Sequence, residues 1–434
     1  MHIEHQCPQC GAPVVLDETD RLLTCGFCRT KLYMQTPDYF RYCMNPRDPF
    51  LDTVLYVPYW RFRGMHFVCR TEGISETVVD KTNPAIAVPG FPQSLGIRPQ
   101  TLTVRFARNG ENTRFLRPAI PFDKTAAEIK KLVAYEVIRI AETRLVDLGG
   151  DNYAEVPGVR FEIKEDRLYH QSFVADAVSL IYAPYYMRDG KIFDGMTDQV
   201  LPGVNCENIG TLETMSGDWP VSFLPTICPI CGSDTTGEKD SCVMLCLNCN
   251  RAWDIHGIEP CPVRFAVAES KIATGAPAVY LPFWCIRPNI TGITLRSYAD
   301  LMRFSNISWA IRPQWETRPF QLWIPATKAP PSVFLRSARQ FTITDLSASG
   351  EDLPHDRILP VNLPLSDAID SAKVVIANLA FKKKEIFPRL PEIEFHDEDT
   401  LLVLIPFTEN AQEYIQPDIN YAIMKNALMW GKNI

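Results

Sequence analysis

The apolar positions of this chain fall into short runs divided by turn-forming residues. Val14-Val15-Leu16 and Leu22-Leu23-Thr24 flank Asp17-Glu18-Thr19-Asp20, a pattern that predicts a hairpin. Val54-Leu55-Tyr56-Val57-Pro58-Tyr59-Trp60-Arg61-Phe62 is β-branched and aromatic and predicts a strand, with Pro58 suggesting an edge or a bulge. Helical spacing shows in Ile129, Leu132, Val133, Val137, Ile140, Leu145 and Leu148, behind a capping-box-like Thr125-Ala126-Ala127-Glu128. A similar face, Ile369, Ala372, Ile376, Leu379 and Ala380, predicts a second helix; Pro121 and Pro364 precede the two in matching positions. A last helix is predicted from Asp418 to Trp430, on Ile419, Ala422, Ile423, Ala427 and Trp430. These stripes are read as core packing against sheets.

Several runs occur twice, in the same order. Tyr56-Val57-Pro58-Tyr59-Trp60 returns as Tyr280-Leu281-Pro282-Phe283-Trp284, and Ile97-Arg98-Pro99-Gln100 as Ile311-Arg312-Pro313-Gln314. Ile181-Tyr182-Ala183-Pro184-Tyr185 is echoed by Val403-Leu404-Ile405-Pro406-Phe407 at an offset of 222. Ordered echoes of this kind mark an internal tandem duplication. The turn-rich stretch 200–226, with Pro202-Gly203 and Gly217-Asp218-Trp219-Pro220, holds the joint between the copies.

The strongest echo is in cysteine. Cys7-Pro8-Gln9-Cys10 and Cys25-Gly26-Phe27-Cys28 are separated by fourteen residues, and Cys228-Pro229-Ile230-Cys231 and Cys246-Leu247-Asn248-Cys249 repeat them at a constant offset of 221. Each Cys-x-x-Cys puts two thiolates on one tight knuckle, and the intervening residues suit a short hairpin that brings the second knuckle opposite. Four thiolates at tetrahedral corners close a structural zinc site, with no position for water or substrate. Two structural Zn2+ ions are therefore expected, on Cys7, Cys10, Cys25 and Cys28 and on Cys228, Cys231, Cys246 and Cys249. A rubredoxin-like iron site uses the same knuckles, and disulfides are the remaining reading. Of the other cysteines, Cys43, Cys69, Cys206, Cys242, Cys261 and Cys285, only Cys242 lies within a ribbon, and the constant offset argues against it as a ligand. His2 and His5 are read as exposed terminal histidines beside a complete thiolate set.

Composition narrows the class. The 35 prolines in 434 residues exceed the usual share of about 5% and favour short strands and turns over a helical bundle. A net charge of −7 gives no global attraction to phosphate backbones or anionic lipid. The start Met1-His2-Ile3-Glu4-His5-Gln6 lacks a signal pattern, and no apolar run approaches the ~18 residues of a membrane helix. Fourteen cysteines, eight of them in knuckles, fit a reducing compartment. The expectation is a soluble, cytoplasmic protein without a transmembrane segment.

Signs of catalysis are missing from the sequence. The seven histidines are scattered, and Gly232 to Lys239 fails as a phosphate loop because Glu238 separates Gly237 from Lys239. A non-enzyme is the reading. Neither ribbon is basic: residues 1–60 carry five Lys/Arg against seven Asp/Glu, and residues 225–265 carry three against five. Nucleic-acid binding, which rests largely on phosphate contacts, is thereby less favoured.

A Cys-Pro-x-Cys-Gly ribbon followed by Tyr-x-Pro-aromatic-Trp resembles bacterial zinc-ribbon proteins, labelled transcription factor IIB-type zinc ribbons or relatives of the primosomal replication-restart helicase. The resemblance implies further hairpins with an aromatic-Pro-aromatic strand and a Gly-containing turn, as in Ala183-Pro184-Tyr185-Tyr186 through Asp194-Gly195; the helicase core is absent. The fold class expected is α+β and β-rich, with two tandem copies of a zinc ribbon plus a mixed α/β domain holding one main helix. The boundaries are 1–36 for ribbon 1, 50–203 for mixed copy 1, 224–258 for ribbon 2 and 275–434 for mixed copy 2. The expected function is a non-catalytic zinc-binding scaffold or adaptor that meets protein partners, in a larger assembly. The alternative is a nucleic-acid-binding accessory factor using its ribbons. A deep pocket with perturbed titratable groups would point instead to an enzyme.

Overall fold

The structure is a computed structural model, which describes all residues except 50, 123, 126–135, 150–151, 165–166, 205–208, 211, 218, 220, 258, 274–275, 308–309, 345 and 433–434. Strands hold 43% of the residues and helices 16%, a β-rich α+β fold. Ribbon 1 supplies β1 (His2–Gln6), β2 (Pro13–Asp17), β3 (Leu22–Thr24) and β4 (Lys31–Gln35). The rest of the first half runs through β5 (Phe40–Met44), β6 (Val54–Arg70), β7 (Gly73–Pro84), the short helix α1 (Arg98–Thr101), β8 (Thr103–Phe106) and β9 (Thr113–Leu116). It continues with β10 (Glu136–Gly149), β11 (Asn152–Lys164), β12 (Leu168–Arg188) and β13 (Lys191–Asp194). The joint adds β14 (Thr214–Met215) and β15 (Ser222–Pro225).

Ribbon 2 contains β16 (Val243–Cys246) and β17 (Arg251–Asp254), followed by β18 (Cys261–Val263), β19 (Phe265–Ala268) and β20 (Val279–Thr291). Then come α2 (Tyr298–Phe304), α3 (Pro313–Thr317), β21 (Leu322–Pro325), α4 (Pro331–Thr342), β22 (Ala348–Gly350) and β23 (Arg357–Ile358). The chain closes with α5 (Leu365–Leu379), β24 (Glu394–Glu409), β25 (Glu413–Gln416) and β26 (Tyr421–Met424).

The repeated aromatic strand organises each half, and its register repeats. β6 pairs antiparallel with β12 so that Tyr56 opposes Pro184; β20 pairs antiparallel with β24 so that Tyr280 opposes Pro406. β5 lies parallel to β12 as β19 lies parallel to β24, and β9 lies parallel to β6 as β23 lies parallel to β20. The repeated tryptophans do the same work. Trp60 Nε1 donates to Ile120 O at 2.7 Å and Trp284 Nε1 to Leu363 O at 2.9 Å, each fixing the residue before the repeated proline.

The repeated strand prolines sit in central strands, not at an edge or a bulge. The backbone geometry explains why they are tolerated. On one flank β9 leaves β6 at Tyr56 and β7 takes over at Tyr59, so Pro58 falls in the gap, where no ladder bond needs its missing N–H. Its carbonyl still accepts from Ala85 N at 2.9 Å; Pro282 O accepts from Ala326 N at the same distance, between β23 and β21.

The helical expectations are met in part. Pro364 caps α5, and Ala372, Ile376 and Leu379 are buried on it as the periodicity indicated. The first-half counterpart divides: 126–135 lie outside the described residues, while Val137, Ile140, Leu145 and Leu148 stand on β10, a strand. β10 and β11 form a two-stranded sheet of their own, with Val137 opposite Ile163. Short apolar runs suit either period, and the β-branched Val137, Ile138, Ile140, Thr143 and Val146 tip this one to strand. The stretch Asp418 to Trp430 is not an α-helix either: a turn with Asn420 at φ 50° leads into β26 and then a 3-10 helix over Lys425–Lys432. The second half also holds more than one main helix. α4 starts at Pro331 and buries Phe334, Leu335, Ala338 and Phe341, and a full capping box between Ser297 and Asp300 opens α2.

One core runs across both halves. α5 buries Val374, Val375 and Ala377 besides its predicted face, so it is covered on more than one side. Trp284, Leu322 and Ile324 belong to the second-half sheet; Met65, Phe67 and Val174, from the far ends of β6 and β12, join the same apolar cluster from the first half. The Phe67 and Phe334 rings lie 5.8 Å apart across this seam. Among the described residues no helix is long and apolar enough to cross a membrane.

Candidate functional site

Each knuckle is built by the backbone around its first cysteine. Gly11 N donates to Cys7 O at 2.8 Å, Arg29 N to Cys25 O at 3.0 Å and Gly232 N to Cys228 O at 3.0 Å. The residue after each second cysteine takes a positive φ: 74° at Gly11, 61° at Arg29, 71° at Gly232 and 52° at Asn250. Glycine and asparagine enter that region easily, which accounts for the glycine of the two Cys-Pro-x-Cys-Gly knuckles. The knuckles are the turns of hairpins. β1 pairs with β2 around Cys7 and Cys10, and β3 with β4 around Cys25 and Cys28. The hairpin predicted between Val14-Val15-Leu16 and Leu22-Leu23-Thr24 therefore does not form, because each of its strands pairs outward across its own knuckle.

The sulfurs converge in two sets, Cys7, Cys10, Cys25 and Cys28 and Cys228, Cys231, Cys246 and Cys249, with all atoms of a set within 4.8 Å of one another. Cys7 and Cys28 Sγ lie 3.7 Å apart and Cys10 and Cys25 Sγ 3.6 Å apart; the second set gives 3.6 Å for Cys228 and Cys249 and 3.5 Å for Cys231 and Cys246. A tetrahedron with metal–sulfur bonds of about 2.3 Å has edges of roughly 3.8 Å, so either set could hold a metal ion. A disulfide needs sulfurs about 2.05 Å apart, and these cysteines are free. Cys242, the rival ligand, lies apart, its Sγ donating to Val361 O at 3.1 Å. Cys43, Cys69 and Cys285 are buried elsewhere, Cys261 is exposed, and Cys206 lies outside the described residues.

The first cysteine of every knuckle is buried and the second lies towards solvent. The surroundings favour thiolate at several positions. The amides of Cys28 and Phe27 draw the Cys25 thiol down; burial pushes Cys228 up, but the amides of Cys231 and Ile230 outweigh it. The Thr30 side chain and amide bring Cys28 down to about 6, and the Asn248 side chain with the Ser233 amide brings Cys231 down to about 5. His2 is exposed, as expected, with Nδ1 2.9 Å from Asp17 Oδ1. His5 is not exposed: its ring stacks on Phe223 at 4.8 Å, and burial, helped by Arg108, lowers its pKa to about 4.

The ribbons are built into the sheets. β1 runs parallel to β8 in the ten-stranded sheet, and β4 pairs with β15 of the joint. Glu18, in the turn between β2 and β3, reaches Arg61 on β6 in the interior. The two ribbons also touch: the amides of Arg21 and Leu22 donate to Lys239 O at 2.6 and 2.8 Å, and Leu22, Tyr33, Met244 and Ile255 form a small apolar cluster. Lys239, which completes the phosphate-loop look-alike, is thus a ribbon-to-ribbon contact.

Sequence reasoning missed a cavity of about 300 Å3 where the ribbons and both halves meet. Arg21 and Gln35 line it from ribbon 1, Asp176 from β12, Asp240, Cys242 and His256 from ribbon 2, and Lys328, Asp367 and Asp370 from the second half. Burial opposes the charge on Asp176, yet Lys328 and Arg63 outweigh it and hold the carboxyl below its ordinary range. Burial lifts Asp367 to about 6, with Lys328 acting against it and Asp370 adding to it. Burial also lowers His256. Cys242 is no ready nucleophile: burial pushes its thiol far up, and its proton goes to Val361 O. No periodicity could have announced these residues, which come from segments far apart in the chain.

Compared with known protein families, with curated proteins and with solved structures, the chain matches none.

Proposed function

We propose that this protein is a zinc-binding scaffold that acts through protein-protein interaction, with two structural Zn2+ ions locking its ribbons. The observation that carries the metal is the closure of each site: four sulfurs at near-tetrahedral spacing leave no corner for water or substrate. Zinc is favoured over iron as the commoner ion of four-cysteine ribbons, and a reducing compartment such as the cytoplasm keeps the thiols available.

The scaffold role rests on what the knuckles present. Phe27, at 74% exposed, stands at the tip of ribbon 1; Ile230, at 69%, stands on the first knuckle of ribbon 2, with Ile227, at 50%, just before it. Large apolar side chains held out on rigid turns suit docking to a protein surface. Elemental analysis should find two zinc ions per chain; one ion, or mainly iron, would refute the metal assignment. Partners cross-linked in the native host and identified by mass spectrometry should be lost from a Phe27→Ser, Ile230→Ser variant that keeps both zincs. Retention of every partner by that variant, or sub-micromolar nucleic-acid binding that weakens steeply with salt, would displace the scaffold reading.

A further inference from the structure

We infer that the arm formed by β10 and β11 is a self-association surface, and that its partner is the same arm of a second copy of this chain. The two strands make a sheet of their own, paired from Glu136 and Lys164 at the base to Gly149 and Asn152 at the tip. Among the described residues neither strand pairs with a third. The plan shared by the two halves does not require the arm, because in the second half the chain passes from α5 to β24 without a hairpin. A two-stranded hairpin alone in water is marginal, so an arm of this length calls for a cover.

The register sorts the arm into two faces, since residues directly opposite share a face and successive ones alternate. One face is apolar over most of its length, with Val137 opposite Ile163, Ala141 opposite Val159, and Phe161 and Leu145 in the rows between and beyond. The other face holds its charges in compensating neighbours, Glu136 opposite Lys164 and Glu142 diagonal to Arg160, as a solvent face does. Thr143, Glu155 and Pro157 of the first face and Val156 of the second are all exposed. The body of the protein therefore covers neither face at that level.

The charges on the apolar face select both the occupant and its direction. Arg139 stands near the base, and Glu155 and Asp147 stand near the tip. Lay this face antiparallel on that of a second copy, about a two-fold axis between the rows of Ala141 and Thr143. Each Arg139 row then comes level with the other copy's Leu145–Glu155 row, a base against an acid, twice over. A parallel arrangement would set Glu155 level with Glu155 and Arg139 level with Arg139, which like charges oppose. Thirteen pairs give a face roughly 40 Å long and two strands wide, on the order of 1,000 Å2 buried over both copies. That is the size of a weak, reversible contact.

The test is sedimentation velocity of the full-length protein, which should show a monomer–dimer equilibrium between ~1 and ~100 μM. Arg139→Glu and Glu155→Arg should each raise the dissociation constant by about tenfold or more, because each change enters a two-fold contact twice and sets like charges together. The double charge-swap variant should return to within about threefold of wild type, a rescue that a merely misfolded arm could not give. Arg160→Glu, on the opposite face, should leave the dimer unchanged. Four results would overturn the proposal: a monomer up to ~100 μM, a dimer indifferent to both single changes, a double variant no better than the singles, or a loss from Arg160→Glu as large as that from Arg139→Glu.

Discussion

Glu18 and Arg61 meet inside the protein. Arg61 Nε lies 2.8 and 2.9 Å from the two Glu18 carboxylate oxygens, and the residues are 3% and 1% exposed. Ser179 Oγ donates to the same carboxylate at 3.3 Å, and Asp80 takes the other end of the guanidinium. A turn of ribbon 1 is thereby fastened to the centre of the first-half sheet. The second copy has Lys239 and Cys285 at the two places, so it lacks this link.

Arg61→Leu should cost about 3–5 kcal/mol, because the Glu18 charge stays buried without a counter-ion, and Glu18→Leu should cost less, because Asp80 still pairs with the guanidinium. The double variant should recover part of the Arg61→Leu loss, since it removes the stranded Glu18 charge and leaves Asp80 with Gln100 Nε2 as its donor at 2.8 Å. Urea unfolding of the four proteins in a double-mutant cycle measures it; additive losses would show that the pair does not act as a unit.

Loss of metal from ribbon 1 should spread into the sheet. From the sequence alone, Cys25→Ser would be expected to unfold a thirty-residue ribbon and nothing else. In the structure Cys7 and Cys25 share one apolar cluster with Tyr59 and Ile181 of β6 and β12, whereas Cys228 and Cys246 cluster with Trp253. Hydrogen exchange should therefore show Cys25→Ser lowering the opening free energy of β6 and β12 by on the order of 2 kcal/mol, with Cys246→Ser acting mainly near Trp253. Equal, local effects of the two substitutions would contradict this.

Asp367 should make stability fall as pH rises. Its folded pKa of about 6 lies above the ordinary 3.8, so the folded state holds the proton more tightly. Stability is then fullest below about pH 4 and declines as the pH rises to about 6, by up to roughly 2–3 kcal/mol. Lys328 and Arg21 act against the shift and Asp370 adds to it. Asp367→Asn should remove this component and be the more stable protein at pH 7, as read from urea midpoints across pH 4–8. A variant less stable than wild type at pH 7 would show that the carboxylate is matched by a cation.

The indole hydrogen bonds should matter alike in both copies. Trp60→Phe and Trp284→Phe each leave a carbonyl, Ile120 O or Leu363 O, without its donor. Each should cost about 1–3 kcal/mol beyond the lost ring area. For Trp284 the damage should include fraying at the start of α5, visible as faster exchange of the Ala368 amide, which donates to Pro364 O at 3.1 Å.

The cysteines and the aromatic strands were legible because local chemistry dictates them: a knuckle needs two cysteines three apart, and a strand flanked by others needs β-branched and aromatic residues. The duplication was legible because both were copied with their spacing. The strand of Val137 and Ile140 was misread since Val137, Ile140, Leu145 and Leu148, near helical spacing, also satisfy a strand, and only pairing with Val159 to Ile163 decides between the two. Helix α4 was missed although Pro331 and the run Phe334, Leu335, Ala338 and Phe341 carry its signature. Glu18, Asp240 and Asp367 stayed hidden for a different reason. Each is an ordinary acidic residue until a distant segment buries it, and one sequence holds no record of that meeting.

The reach of β6 and β12 sets an order of events during synthesis. Met65, Phe67 and Val174 leave the ribosome long before α5, and they form the ledge on which that helix settles. The first half can therefore build its sheet while the second is still being made, then present a ready surface to the arriving helix. A second half produced alone would have nothing to lay across the far side of α5, and its fate would be capture by chaperones or clumping. A chain in which the halves were swapped by circular permutation would meet the same hazard for as long as its first-made half waited.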